Sequence, residues 1–326
     1  MAKQKVIKNN KFKNALKIAA AALCAAAIVA IVIITGRQNA DKAEKTLNTT
    51  VMGTTASITV YGRNGSDIID DIMDLENDLD EKVISWRSDG SEGWNINHSY
   101  KAGEDYQISD ELADVLERTL EISEDNGDLL DITIRPLAEV WGIESGSTNV
   151  PSQTDIDAAL SDVDVTQVTC ISAKNSSDGK SYVNIAREGM SLDFGAVGKG
   201  YGCDVAADYL EETSVTGACV ALGGSIMVYG NKPDELDWKI GVKDPRAGEE
   251  SIMGVISAKG GETLFVSTSG DYEKYFEKDG KRYHHILDPK TGYPAWKHTI
   301  AATVVCDNGL LSDALSTLCM LLDREA

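Results

Sequence analysis

The stretch from Asp271 to Pro294 reads DYEKYFEKDGKRYHHILDPKTGYP and places His284 and His285 directly before Ile-Leu-Asp-Pro-Lys-Thr-Gly. A short apolar run that ends in Asp-Pro and Thr-Gly predicts a strand running into a tight turn. Such a turn would carry an imidazole to the rim of the fold, where a base that titrates near neutral pH is useful. The structural alternative is that the two histidines point to opposite faces of a strand, one inward and one outward. The stretch alone leaves both interpretations open.

Strand and helix patterns alternate in mixed order on both sides of this stretch. Apolar residues at helical spacing predict helices over 66–83, 109–126, 155–160, 198–212 and 310–322. Alternating or short apolar runs predict strands over 54–61, 167–172, 181–185, 217–221, 226–230, 238–242, 251–257, 263–267, 283–287 and 300–305. Several of these strands follow one another without a helix between them. This order favours an α+β fold with mixed or antiparallel sheets and packed helices over a doubly wound parallel sheet.

Charge is divided unevenly along the 326 residues. Seven basic residues and no acidic ones precede Asp41, whereas the remainder has 24 basic against 52 acidic residues, a net charge of -28. A body this acidic repels a nucleic-acid backbone. We therefore expect no nucleic-acid partner.

The amino terminus has the pattern of a membrane anchor. Residues 18–35 form an unbroken run of apolar and small residues, which is long enough for a helix of about 18 residues to cross a hydrocarbon core. The lysines in 1–17 predict a basic cytoplasmic tail, because positive charge stays on the cytoplasmic side. Residues 36–50 are predicted to be a polar linker and 51–326 the catalytic domain. A signal sequence, cleaved or uncleaved, is the rival interpretation. The anchor predicts a single-pass protein of the cell membrane with an extracytoplasmic body.

A glycine-rich segment, Gly195-Ala-Val-Gly-Lys-Gly-Tyr-Gly202, follows Leu192-Asp-Phe194 and opens a predicted helix. Glycines at a helix start let backbone N–H groups approach an anion closely, and Lys199 adds positive charge. The spacing is neither that of a Walker loop nor GxGxxG. The segment favours a phosphate-bearing ligand, with tight packing of a helix on a strand as the alternative.

Each of two further segments allows both a functional and a structural interpretation. Gly223 and Gly224 join two short strands, where they would make a hairpin turn or let a flat ring lie against the backbone. Asp313 and Thr317 lie four residues apart and therefore share one face of the last helix. Two hard oxygens at this spacing suit Mg²⁺. An acidic residue that complements the helix dipole is the alternative.

Taken in order, these segments resemble the FAD:protein FMN transferase family, also called ApbE-like. The resemblance covers nearly the whole body, and it rests on the ordered set more than on any single motif. The motifs are Met52-Gly-Thr54, Ser91-Glu92, Asn97, Pro136-Leu137, Trp141-Gly142, Asp193-Phe-Gly-Ala-Val-Gly-Lys-Gly-Tyr201, Leu222-Gly-Gly224, Trp238-Lys-Ile-Gly-Val-Lys-Asp-Pro245, Thr268-Ser-Gly-Asp-Tyr272, His285-Ile-Leu-Asp-Pro-Lys-Thr-Gly292 and Asp313-Ala-Leu-Ser-Thr317.

The resemblance implies an Mg²⁺-dependent enzyme that takes FAD as its substrate. It would move the FMN half to a Thr or Ser hydroxyl of another protein and release AMP. By the same resemblance His285 is the catalytic base. The metal ligands would be the side chains of Asp313 and Thr317 and the backbone carbonyl of Ala196. The residues in contact with FAD would be Met52, Trp141, Gly142, Asp193, Lys199 and Gly223.

The resemblance also bears on partners and boundaries. Acceptors in the family usually carry an Asp-x-x-Thr/Ser-small-Ala-Thr/Ser segment, which this chain lacks, so the expected partner is a separate flavoprotein of a membrane or extracytoplasmic electron-transfer system. The chain ends at Ala326, a few residues past the last predicted helix, so the domain would be short at its carboxyl terminus. Gly93 replaces the aliphatic residue that many members have after Ser91-Glu92. Two other functions remain open: an Mg²⁺-dependent FAD pyrophosphatase, and a tethered flavin-binding protein without turnover.

Overall fold

The computed structural model describes residues 42–248 and 251–322. Its α-helices are α1 (Gly65–Asp78), α2 (Glu92–Ser99), α3 (Asp110–Asp125), α4 (Arg135–Trp141), α5 (Gln153–Leu160), α6 (Gly198–Glu211) and α7 (Gly309–Leu321). Its strands are β1 (Glu44–Val51), β2 (Thr54–Tyr61), β3 (Asp105–Ile108), β4 (Val168–Ile171), β5 (Ser181–Ile185), β6 (Gly217–Leu222), β7 (Ser225–Gly230), β8 (Trp238–Lys243), β9 (Ile252–Ala258), β10 (Leu264–Gly270), β11 (Tyr275–Lys278), β12 (Lys281–His284) and β13 (Ala301–Cys306).

The strands form one large sheet and three small ones. The large sheet has the order β1-β2-β6-β7-β10-β13, and a second sheet has the order β3-β5-β4. Two ribbons, β8-β9 and β11-β12, complete the set within the described residues. These strand pairs are all antiparallel. The predicted α+β fold is confirmed, and most predicted elements lie within a few residues of their observed bounds.

The boundary predicted for the linker is wrong. Strand β1 begins at Glu44, inside the predicted linker 36–50, and pairs along its whole length with β2. It was missed because an edge strand with mostly exposed side chains does not need an apolar face to pair its backbone. The tail 1–17 and the anchor 18–35 lie outside the described residues. None of the helices within 42–248 and 251–322 has the length and hydrophobicity of a membrane-spanning segment.

The first helix ends earlier than its apolar pattern predicts. Helix α1 ends at Asp78, and the chain continues as a π-helical segment over Leu79–Ile84. Segments of this kind are rare and occur often at functional sites. Here the segment delivers the following residues, Ser85, Trp86 and Arg87, to the wall of a cavity described below.

Helices α6 and α7 meet at two glycines that bring their backbones very close. A Cβ on Gly200 would lie 2.2 Å from the carbonyl oxygen of Gly309, and a Cβ on Gly309 would lie 2.1 Å from the oxygen of Gly200. Asp204 of α6 also accepts the backbone N–H of Leu310 at 3.1 Å. The first turns of the two helices are therefore held together, and this contact positions much of the site.

A carboxyl group lies in the core between α1 and α6. Glu76 is fully buried, and neither of its carboxyl oxygens has a hydrogen-bond partner among the described residues. Its Oε2 would be 2.3 Å from a Cβ at Gly202, so α6 closes over it. Burial raises the pKa of Glu76 from 4.5 to about 8. The folded protein therefore holds a proton here at pH values where the unfolded chain does not.

This buried acid predicts a pH dependence of stability. Because the folded pKa is raised, the stabilisation is complete below pH 4.5 and is lost as the pH rises through about 8. The free energy of unfolding should fall by about 1.4 kcal/mol per pH unit across that window. Glu76→Gln should remove this slope in urea-unfolding series at several pH values. Glu121→Gln, on an exposed face of α3, should keep it. Parallel curves for wild type and Glu76→Gln would contradict the assignment.

Candidate active site

Two cavities open beside the first turn of α6 and share one wall. They have volumes of about 770 and 730 Å³, their open mouths included. The shared wall consists of Glu144, Asp193, Gly195 and His285. The cavities therefore form one two-lobed cleft, large enough for an elongated ligand.

The two lobes differ in chemistry. The first, which we call the apolar lobe, is lined mainly by large hydrophobic side chains: Leu129, Leu130, Ile134, Trp141, Ile143, Ile286, Leu287 and Leu321. The second, the charged lobe, includes Asp80, Arg87, Lys199, Glu273 and Lys274. A flat ring system suits the first lobe, and a polar or phosphorylated group suits the second.

The two adjacent histidines have different surroundings. His284, the last residue of β12, is buried, and its Nε2 lies 3.0 Å from the carbonyl oxygen of Ala295. His285 follows the strand and lines both lobes. The predicted strand 283–287 is thus too long, because the chain turns into the cleft after His284. His284 faces the protein interior at the end of the strand, and His285, beyond the strand, lines the cleft.

His285 has the properties of a neutral base. Its backbone N–H donates to the carbonyl of Lys274 at 3.0 Å, and its buried Nδ1 has no hydrogen-bond partner among the described residues. Burial lowers the pKa of His285 to about 4, against the opposing charge of Glu144. The Glu144 carboxylate accepts a hydrogen bond from Lys274 at 2.9 Å. The imidazole is therefore uncharged near neutral pH, which is the form a base requires, and burial at the same time makes it a weaker base than a solvated imidazole.

The glycine-rich segment is tied to the last helix through Lys199 and Gly200. The Lys199 ammonium donates to the Gly195 carbonyl at 2.9 Å and lies 3.5 Å from Oδ2 of Asp313. The backbone N–H of Gly200 donates to the same carboxylate oxygen at 3.0 Å. These contacts therefore hold the Lys199 side chain in place where it lines the charged lobe.

Asp193 supports the loop from the other side. Its Oδ1 accepts the backbone N–H of Gly195 at 2.9 Å, and its Oδ2 lies 3.6 Å from Arg135. The Arg135 guanidinium in turn stacks on the Trp86 ring, 3.2 Å from the ring centroid. Burial raises the pKa of Asp193, and the charge of Glu144 adds to the rise.

A set of hard oxygens lies beside this loop. Asp313 is almost fully buried, and Thr317, one turn further along α7, lies with its Oγ1 3.3 Å from the hydroxyl of Ser269. Thr317 and Ala196 both line the apolar lobe, whereas Asp313 lies behind Lys199. Within the described residues no three His, Cys, Asp or Glu side chains form a metal cluster. One carboxylate with hydroxyl and carbonyl oxygens fits a hard divalent cation rather than a soft one.

The cleft collects most of the residues named from the sequence, but not all. Met52, Trp141, Asp193, Ala196, Lys199, His285 and Thr317 line one or both lobes. Gly142, Gly223 and Asp313 lie outside the lining of both lobes, although the Asp313 carboxylate contacts Lys199 of the charged lobe. Gly142 ends α4 with a φ of 57°, and Gly223, with a φ of 56°, makes the β6–β7 turn. Backbone geometry accounts for both glycines, and the neighbouring Gly224 lines the charged lobe instead.

Several cleft residues were not singled out from the sequence. Arg87, Glu144, Glu273 and Lys274 lie in loops, and their side chains converge only in the folded chain. A partial signal existed for two of them. Glu144 follows Trp141-Gly142 by two residues, and Lys274 follows the Thr268–Tyr272 motif by two residues.

The crossing of α6 and α7 gives a steric prediction. Gly200→Ala places a Cβ within 2.7 Å of the Asp313 Cβ and against the Gly309 carbonyl. Overpacking of this kind typically costs about 1–3 kcal/mol. We expect a lower melting temperature and weaker ligand binding. Gly254→Ala, where nothing lies within 4 Å, is the control and should melt as wild type does. Equal melting temperatures for both variants would show that the helices can move apart without cost.

Comparison with known proteins identifies relatives of the chain in sequence and in fold. Residues 52–326 match the model of the ApbE family. The FAD:protein FMN transferase of Escherichia coli K12 is 29% identical over 250 residues, which cover 76% of this chain and 69% of that protein. The crystal structure of the ApbE protein of Thermotoga maritima has a TM-score of 0.75 at 30% identity, covering 86% of this chain and 87% of the other. The flavin transferase ApbE of Vibrio cholerae has a TM-score of 0.75 at 26% identity, covering 87% and 88%.

Proposed function

The chain belongs to the ApbE family of FAD:protein FMN transferases, and from that premise we propose that it transfers FMN from FAD to a Thr or Ser hydroxyl of an acceptor protein, releasing AMP. The observation that carries the proposal is the position of His285. It lies on the wall shared by an apolar lobe and a charged lobe. Burial lowers its pKa, and its buried Nδ1 has no hydrogen-bond partner in the part of the chain that the structure describes.

FAD fits the two-lobed cleft by chemistry. One ring system packs against the apolar lobe, where Trp141 is fixed by a 2.8 Å hydrogen bond from its indole N–H to the carbonyl of Gly292. The diphosphate then lies near the shared wall, within reach of Lys199 and the other cations of the charged lobe. Positive charge is needed there because Glu144 and Asp193 face the same space.

His285 acts on the acceptor. Its neutral imidazole takes the proton from the acceptor hydroxyl as the hydroxyl oxygen attacks the phosphorus of the FMN half. A new P–O bond to the acceptor forms, and the P–O bond to AMP breaks. Lys199, braced by Gly195 and Asp313, stabilises negative charge that develops on the phosphate oxygens.

Asp313, Thr317 and the Ala196 carbonyl are the residues that would hold Mg²⁺. Bound there, the ion would supply electrostatic stabilisation of a diphosphate, as divalent cations do in phosphoryl transfer. The 3.5 Å contact of Lys199 with the Asp313 carboxylate keeps a positive charge beside this oxygen set.

Location and partner follow from the same proposal. Residues 18–35 would anchor the chain in the cell membrane and hold the body outside the cytoplasm, because the lysines precede the apolar run. The acceptor would then be an exported or membrane-bound electron carrier.

The test is transfer of a label that survives denaturation. The body is incubated with FAD, Mg²⁺ and a protein that carries the family-type acceptor segment, and the acceptor is examined for in-gel flavin fluorescence. Fluorescence on the acceptor, absent when its hydroxyl residue is changed to alanine, is the expected result. Rapid release of FMN and AMP without acceptor, with no labelling when acceptor is present, would favour the pyrophosphatase. FAD that stays bound and intact would favour a binding protein.

A further inference from the structure

A glutamate and a lysine from distant parts of the chain meet beside His285. The Glu144 carboxylate accepts a hydrogen bond from the Lys274 ammonium at 2.9 Å, although 130 positions separate the two residues in sequence. Both line the charged lobe, and Glu144 also belongs to the wall that this lobe shares with the apolar lobe. The side chains of Lys274 and Glu144 are 43% and 27% exposed. Ion pairs this exposed contribute little to stability, so stability alone does not account for a pair placed inside the cleft.

Lys274 holds both the catalytic base and the carboxylate. Tyr275 and His284 form the end pair of the β11–β12 ribbon, so Lys274 and His285 come next on the two strands. The Lys274 carbonyl accepts the backbone N–H of His285 at 3.0 Å. One residue therefore fixes the backbone of His285 through its carbonyl and the side chain of Glu144 through its ammonium.

The backbone of Glu144 is fixed by the tight loop that follows α4. The N–H groups of Ser145 and Ser147 both donate to the carbonyl of Gly142, at 3.1 and 2.9 Å. The preceding residue, Ile143, is buried and lines the apolar lobe. The carboxylate therefore extends into the cleft from a position that the loop and the apolar lobe hold in place.

The charges near His285 oppose its protonation, with one exception. Burial lowers the pKa of His285, whereas the charge of Glu144 raises it. Three further groups lower this pKa as well: Lys274, His284 and Lys199. Glu144 is therefore the group that favours a positive charge on an imidazole that burial would keep neutral.

Glu144 is ionised under the same conditions. Burial raises its pKa, but the positive charges of its neighbours outweigh burial and lower the pKa below its usual range. These neighbours are Lys274, His285 and Arg87. The other acid of the shared wall, Asp193, is engaged elsewhere, because it accepts the Gly195 N–H at 2.9 Å.

We propose that Glu144 is a positioning residue for the transfer reaction: its carboxylate, held by Lys274, stabilises the positive charge that His285 acquires when it takes the proton of the acceptor hydroxyl. The proposal rests on the proposed transferase function, since only that reaction charges the imidazole. In this step one proton moves from the acceptor oxygen to His285, and Glu144 itself gains none. Carboxylates stabilise the imidazolium of catalytic histidines in the same way in other enzymes.

The stabilisation acts through space. Nδ1 of His285 has no hydrogen-bond partner within 42–248 and 251–322, so no hydrogen bond joins it to the Glu144 carboxylate. In a cleft that largely excludes water, a charge acts over a longer distance than it does in solution. Glu144 is not the base itself, because a carboxylate with a lowered pKa that is paired with a lysine holds a proton weakly.

The test uses the full-length protein and compares the two partners of the ion pair. Glu144→Gln removes the negative charge, Glu144→Asp keeps it, and Lys274→Met removes the positive charge. Glu104→Gln is the matched control, because Glu104 has an exposed lysine partner at 3.5 Å and lines neither lobe. All four variants should melt near the wild-type temperature, since exposed ion pairs contribute little to stability.

The first measurement is the pH at which His285 becomes protonated, followed by hydrogen exchange at C2 of the imidazole and mass spectrometry. The midpoint should move to lower pH in Glu144→Gln and to higher pH in Lys274→Met, each by about one unit, because the two substitutions remove opposite charges. It should not move in Glu104→Gln. A purely structural pair would loosen the cleft and admit water when either partner is lost. The midpoint would then rise in both variants, and that result would overturn the proposal.

The second measurement is the separation of kcat from FAD affinity in acceptor labelling. Glu144→Gln should lower kcat about tenfold. Its Kd for FAD should equal or fall below that of wild type, because a negative charge has left a site for an anionic ligand. Glu144→Asp should recover most of the lost rate. Labelling by Glu144→Gln within twofold of the wild-type rate would contradict the role of Glu144 alone, whereas absence of labelling by wild type would contradict the transferase function itself.

Discussion

Replacing His285 by alanine should abolish covalent labelling of an acceptor while leaving FAD binding in place. A positioned general base typically contributes about 10²–10⁴-fold to a rate, and a hydroxyl is a poor nucleophile without one. His285 lines the shared wall, and its Nδ1 has no hydrogen-bond partner among the described residues, so the substitution removes no hydrogen bond at that nitrogen. The measurement is the initial rate of in-gel flavin fluorescence on the acceptor, with FAD affinity measured separately.

His98→Ala is the matched control. His98 is exposed on α2, stacked on Trp94, and lines neither lobe. It should label the acceptor at the wild-type rate. Labelling by His285→Ala within a few-fold of wild type would remove His285 from the mechanism, and loss of FAD binding would show that its role is structural.

The pH dependence of labelling should reflect the pKa of His285. Burial lowers the pKa of His285 to about 4, so the free enzyme keeps the imidazole neutral from neutral pH down to mildly acidic pH. The kcat/KM for labelling should therefore show no loss from this group as pH falls from 8 towards 5, and a loss only as pH approaches 4. A fall centred near 6.5 would mean that the imidazole is far more solvated than the cleft suggests.

Replacing Asp313 by asparagine should raise the Mg²⁺ concentration that the labelling reaction requires. Asparagine keeps the shape and can still accept the Gly200 N–H, which now donates at 3.0 Å, but it removes the negative charge. Loss of an outer hydrogen-bonding partner of a metal ligand typically costs about 10–100-fold in metal affinity or activity. Loss of the proposed carboxylate ligand should therefore raise the Mg²⁺ concentration for half-maximal rate by about 100-fold or more.

Asp307→Asn is the control for general electrostatics. Asp307 is exposed and immediately precedes the Asn308 cap of the same helix, so it makes the same change of charge close by. Its Mg²⁺ dependence should match that of wild type, and both variants should melt near the wild-type temperature. An unchanged Mg²⁺ dependence in Asp313→Asn would rule Asp313 out as a ligand.

Local patterns along the chain were enough for the fold class and for most elements. Ser109 caps α3 by accepting the N–H of Leu112, as its position before an acidic first turn predicts. Strand β5 has the predicted bounds, Ser181–Ile185. Such elements depend on neighbours in sequence, so the pattern contains the information. Strand β1 was missed because it depends on β2 for its hydrogen bonds and has little apolar pattern of its own.

The site divides in the same way. Its composition was readable in sequence: a histidine before a turn, a lysine in a glycine-rich helix start, and an acid and a hydroxyl four positions apart. For each of these residues, the spacing along the chain also allowed a purely structural role. Only the ordered resemblance to a family linked them to one site. The low pKa of His285, the support of Lys199 by Asp313 and the contributions of Glu144 and Lys274 came only with the tertiary structure. These properties depend on burial and on distances between residues far apart in sequence, and no local pattern specifies either.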